Sequence, residues 1–94
     1  MRSSKEIVEI LKQTYPNSMK KSFDNSEDAL RWVNRKCENF EKIFDGICAK
    51  KDRYAEHWGR ITITYELETS DKPVIFSFFM YKMFDVYKCS FLWM

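Results

Sequence analysis

Glycine and proline are scarce in this chain, with two of each in 94 residues. So few glycines exclude a collagen-like or Gly-rich linker segment, and they leave little from which to build a glycine-cradled phosphate site. Histidine is scarcer still: His57 is the only one. A histidine base needs a nucleophile and an orienting acid beside it in space. Glu56 is adjacent only in sequence, so His57 reads as a residue of a charged loop and not as a catalytic group. There is no C-x-x-C. The three cysteines, Cys37, Cys48 and Cys89, are odd in number and are spaced by 11 and 41 residues, which matches no common zinc pattern. They read as buried or half-buried thiols in a reducing compartment. No metal and no cofactor is expected.

Two further absences bear on location and charge. No apolar run approaches the ~18 residues of a membrane helix. The start, Met-Arg-Ser-Ser-Lys-Glu, is not a signal-peptide pattern. The expectation is a cytoplasmic protein, in a bacterial or a host cell. Neither sign of charge dominates: 16 Lys and Arg against 14 Asp and Glu give a net +2. That is too small to predict nucleic-acid binding by itself.

What is present is hydrophobic (45%) and unusually aromatic (17%). The length allows one core and therefore one domain, residues 1–94. Residues 4–14 read as a helix. Ser3 and Glu6 have capping-box spacing, Ile7, Val8, Ile10 and Leu11 give an apolar face, and Pro16 stops it. Residues 16–25 read as a polar connection pinned by Met19 and Phe23. A second helix follows Asp24-Asn25-Ser26. Leu30, Val33, Cys37, Phe40, Phe44 and Ile47 recur on it at steps of three and four, with a kink or stop expected at Asp45-Gly46. Residues 50–59 read as a charged connection.

Strand signals fill the rest. Residues 60–68 alternate, with Ile61, Ile63, Tyr65 and Leu67 on one face and charged or hydroxyl residues on the other. Residues 74–82 are apolar on both faces, so they should be the central strand. Residues 86–93 alternate again and end the chain. Short links imply an antiparallel meander. The expected architecture is an α+β two-layer sandwich: two helices on three antiparallel strands, in the order ααβββ.

The stretch Arg60-Ile61, Tyr65-Glu66-Leu67, Asp71-Lys72, Val74-Ile75 and Asp85-Val86-Tyr87 resembles the strand meander of the RelE/ParE-type ribonuclease toxins of bacterial toxin–antitoxin pairs. The likeness covers about the last third of the chain. It implies an RNA-directed activity, with Tyr81-Lys82 standing where such a toxin commonly carries a basic or histidine catalytic group. The chain departs from that pattern by starting with a helix and not a strand.

Two surfaces compete for a functional role. The basic residues Arg31 and Arg35 share a helix face, and Lys50, Lys51 and Arg53 lie in the connection after it. Together they could meet phosphates or an acidic partner, although Glu27, Glu38 and Glu41 are interleaved. The aromatic surplus points elsewhere. Half of the aromatic residues fall within 72–94, more than one buried sheet face can use. With the helices on one face, the other shows Ile75, Phe79, Tyr81 and Leu92, with Trp93 at the end of the last strand. An exposed apolar cluster marks an interaction surface, and aromatic residues suit recognition.

The last strand carries only Lys88 as edge protection, which invites a homodimer through the C-terminal edge or strand addition to a target. The expected function is a non-enzymatic, protein-binding factor, such as a small inhibitor, immunity or anti-defence protein of a bacterium or phage. The alternative is a nucleic-acid binder or ribonuclease toxin acting through Arg31, Arg35, Lys50, Lys51 and Arg53.

Overall fold

The computed structural model describes residues 1–55 and 60–93, without the side chains of residues 49–51, 54 and 55. Helix α1 spans Ser4–Thr14. Ser3 caps it by accepting from the Glu6 N–H at 3.2 Å. Ile7 and Leu11, four apart, are fully buried, and Tyr15 closes the helix with its N–H on the Leu11 carbonyl. Helix α2 spans Ser26–Ile43. Of the three candidate caps, Asn25 serves: its Oδ1 accepts from the Asp28 N–H at 2.9 Å. The helix stops four residues short of Ile47. Phe44 is its C-cap, and the Ile47 N–H turns back to the Phe44 carbonyl across Gly46, whose φ is 85°. That turn needs a positive φ at its third residue, which glycine supplies without strain.

Five strands form the sheet among the described residues, two more than the alternation predicts. They are β1 (Lys21–Phe23), β2 (Cys48–Ala55), β3 (Ile61–Leu67), β4 (Val74–Met83) and β5 (Val86–Trp93), in the order β1-β5-β4-β3-β2. All neighbours are antiparallel. The expected ααβββ arrangement is therefore corrected to helices and strands interleaved, while the α+β class stands.

Each missed strand has a physical reason. β1 is three residues long, too short to show a period, and exists because Lys21, Ser22 and Phe23 pair with Cys89, Lys88 and Tyr87. β2 runs through Lys50, Lys51, Asp52 and Arg53. It is an edge strand, and charge on an edge is what keeps it from pairing with another chain. The same charge hides the strand pattern in the sequence.

β4 is the middle strand, as its two apolar faces imply. Both helices lie on the face made by Ile63, Tyr65, Leu67, Val74, Phe76, Phe78, Met80, Cys89 and Phe91, and one buried cluster joins these to Ile7, Leu11, Tyr15, Ala29, Val33, Cys37, Phe40 and Phe44. The α2 stripe is rotated slightly from the expected one: Ala29 and Trp32 are buried, and Leu30 is half-buried. Ala29 is small because β5 comes close there. Its carbonyl lies 3.7 Å from the Cys89 Sγ, and burial pushes that thiol up to about 11.

The β3–β4 connection anchors the start of the chain. The Ser70 N–H donates to the Arg2 carbonyl at 2.9 Å. Asp71 receives the Ser4 N–H and the Ser4 hydroxyl, each at 2.7 Å, one on each carboxylate oxygen. These bonds join residues 67 positions apart and tie α1 to the sheet end.

The β4–β5 hairpin has the two-residue loop Phe84-Asp85, since Met83 pairs with Val86. Phe84 has a φ of 55° and is 90% exposed. Hairpin loops of this length favour Gly, Asn or Asp where φ is positive. Phe84→Gly should therefore raise stability by about 0.5–1 kcal/mol, the left-handed penalty less the entropy glycine adds to the unfolded chain. Urea unfolding of the wild type and the variant measures it, and a less stable variant would show that the phenyl ring packs usefully.

Candidate protein-binding face

Side chains alternate across a sheet, so each strand residue falls on the helix-covered face or on the opposite one. The register settles which. Ile75 pairs with Glu66, Ser77 with Thr64 and Leu92, Phe79 with Thr62 and Ser90, and Tyr81 with Lys88. All of these occupy the face opposite the helices. Among the described residues no helix lies over it.

The centre of this open face is a stripe along β4: Ile75, Ser77, Phe79, Tyr81 and Met83, apolar except for Ser77. Ile75, Phe79 and Tyr81 are half-buried by their strand neighbours, whereas Met83 and Leu92 are 41% and 47% exposed. The Phe79 and Tyr81 rings lie 6.4 Å apart and tilted. Hydroxyl side chains flank the stripe, and Thr64 and Ser77 hydrogen-bond each other across the strands at 3.0 Å. Charge stays at the periphery, with Glu66 near one end and Lys88 near the other. Such a surface has an apolar middle and a polar rim, the usual anatomy of a protein interface.

Ile75, Phe79, Tyr81 and Leu92 thus come together as the alternation requires. Trp93 does not join them. It pairs with Phe76 on the helix-covered face, where its ring is nearly parallel to Phe76 at 5.8 Å and to Phe91 at 6.3 Å. Met83, Val86 and Phe84 extend the open face toward the hairpin tip. The strands read from sequence, 74–82 and 86–93, leave residues 83–85 as the link between them and so pass over Met83 and Phe84. The cue is that hydrophobic residues in a turn are uncommon.

β5 is shielded along its first half. β1 covers its outer edge at Tyr87, Lys88 and Cys89, so among the described residues no strand lies beside that edge at Val86 or from Ser90 onward.

The basic residues lie on other elements. Arg31 is exposed on α2 and pairs with Asp28 at 3.1 Å. Arg35 lines a shallow groove on the same helix with Glu27, Asn34 and Glu38. Arg53 is on the edge strand β2, at the register of Ile63, with Lys50 and Lys51 opposite Glu66 and Tyr65. The side chains of Lys50 and Lys51 and the whole of His57 lie outside the described residues. The outer face of α2 carries both signs in alternation and presents no uniform positive surface.

Among the described residues no three His, Cys, Asp or Glu side chains gather as metal ligands, no helix is long and apolar enough to cross a membrane, and no disulfide joins the cysteines. The buried tyrosines belong to the core. Tyr15 and Tyr65 have their hydroxyls pushed well above the ordinary range by burial, and the Tyr15 hydroxyl has no hydrogen-bond partner among the described residues. A phenol so placed resists ionisation and is a poor acid or base. No family model, no curated protein and no solved structure matches the chain.

Proposed function

We propose that this chain is a non-enzymatic binding protein that acts by occupying a surface of another protein, in the manner of the small inhibitors, immunity factors and anti-defence proteins of bacteria and phages. One observation carries the reading. A five-stranded sheet has both helices on one face and leaves an apolar, aromatic stripe on the other. A solvated sheet face does not require aromatic side chains as large as Phe79 and Tyr81. Threonine or serine, already common around them, would serve a solvated sheet face better.

The mechanism is steric. Phe79 and Tyr81 supply rigid contact area at little rotamer cost, Leu92 and Met83 widen it, and Glu66 and Lys88 form the rim that selects orientation. The scaffold beneath is fixed by the packed helix-side core, so the face is pre-organised and needs no ordering on binding.

The test is affinity capture from the native cytoplasm with the wild-type chain and with Phe79→Ala and Tyr81→Ala. Each substitution should reduce capture of a specific protein by at least about tenfold, the size of a typical interface hot spot, with melting behaviour retained. Undiminished capture by both variants would overturn the reading.

A further inference from the structure

The pattern of the open face is compatible with a copy of itself. We infer that, before any target arrives, its occupant is a second copy of this chain, docked face to face. This rests on the reading of that face as a protein-binding surface and names the first protein it binds.

Symmetry is the first argument. A two-fold interface uses the same patch on both subunits, so the patch must be self-complementary. Here the apolar stripe lies on β4, the third of five strands, which is the midline of the face. It is flanked by Thr62 and Thr64 on β3 and by Lys88, Ser90 and Leu92 on β5. Stacking two such faces across a two-fold axis perpendicular to the strands puts midline on midline and each flank on its own copy.

Charge is the second. With the axis perpendicular to the strands and crossing β4 at the level of Phe78, Phe79 of one copy lies over Ser77 of the other and Ile75 faces Tyr81. The same rotation carries Glu66, level with Ile75, to the end of β3 where Arg60 stands. Arg60 directly precedes β3 and continues its alternation on this face. Neither Glu66 nor Arg60 has an ion partner among the described residues, and the rotation supplies each with one, twice over.

Area is the third. Five strands about 4.8 Å apart and about seven residues long span roughly 24 by 23 Å. Covering that face on both copies removes roughly 1,100 Å² from water, enough for a specific but weak dimer. A continuous-sheet dimer has less to work with, because β1 already covers β5 at residues 87–89 and the other edge, β2, is charged.

Sedimentation equilibrium of the full chain from micromolar to millimolar concentration decides it. The wild type should pass from monomer to dimer across that range. Phe79→Lys should remain monomeric while keeping the wild-type circular dichroism and melting curve. Glu66→Arg should weaken the dimer by about tenfold through like-charge contact with Arg60, and adding Arg60→Glu should restore it. A wild type that stays monomeric throughout overturns the inference, as does a dimer that Phe79→Lys leaves intact. The two levels separate cleanly. A monomeric chain whose capture of a target depends on Phe79 sinks only the second copy. A Phe79-dependent dimer that captures no target sinks only the inhibitor reading.

Discussion

Phe40→Ala should cost the domain about 3–5 kcal/mol, the range for deleting a buried phenyl ring and leaving its cavity. Phe40 is fully buried on α2 and is the hub of the aromatic core. Its ring centroid lies 4.5 Å from Tyr65, 4.7 Å from Phe44, 4.9 Å from Phe76, 5.6 Å from Phe78 and 6.1 Å from Tyr15. These neighbours come from the ends of α1 and α2 and from β3 and β4, so no single element can shift to refill the space. A domain of this length has roughly 5–14 kcal/mol in total. The variant should therefore unfold at a much lower urea concentration, and a large part of it should be unfolded at physiological temperature. Phe79→Ala, on β4 but on the open face, should shift the midpoint far less. Equal losses for Phe40→Ala and Phe79→Ala would mean that the open face is covered by something within the chain.

The second large effect lies at Asp71. Its carboxylate accepts the Ser4 hydroxyl and the Ser4 N–H, and these bonds, with a further one from Thr69, hold its pKa down at about 2, below the ordinary 3.8. A carboxyl whose folded pKa is depressed stabilises the native state above its unfolded pKa. That contribution disappears as pH falls through the folded value. Stability should thus be lost between about pH 4 and pH 2, and Asp71→Asn should flatten the dependence in that window. The same substitution should loosen α1 from its first turn, since Ser4 N–H would lose a charged acceptor at the positive end of the helix. Hydrogen exchange reads this directly: amides early in α1 should exchange faster in Asp71→Asn, while those of β4 keep their protection. Unchanged exchange in α1 would show that Ile7 and Leu11 hold the helix without the carboxylate.

Both predictions rest on contacts between residues far apart in sequence, and there the sequence reading is weakest. α1, β3, β4 and β5 are legible within a residue or two of their ends, because capping residues and periods of 3.6 and 2 are local signals. α2 is legible as a stripe, and the kink or stop expected at Asp45-Gly46 is a stop: the helix ends at Ile43 and Gly46 makes the turn that follows. β1 and β2 are invisible for opposite reasons: one is too short to have a period, and the other is charged because it is an edge. The open-face residues Ile75, Phe79, Tyr81 and Leu92 follow from alternation, whereas Trp93, read as part of the same surface, follows its own alternation onto the other face.

By itself the sequence determined that the chain has an α+β pattern, that β4 is central, and that the end of the chain carries more aromatic side chains than one sheet face can bury. Periodicity and composition are properties of neighbours along the chain, and they need no partner to be read. Only the tertiary structure decided how many strands there are, that β1 covers half of the last strand, that Asp71 caps a helix 67 residues away, and where the aromatic surplus goes. Each of these depends on which distant backbone comes alongside. A hydrogen bond across a sheet leaves no mark on the residues next to it in sequence. The surplus therefore splits: Trp93 stacks inside the helix-covered layer, and Phe79 and Tyr81 remain on the face that α1 and α2 leave open.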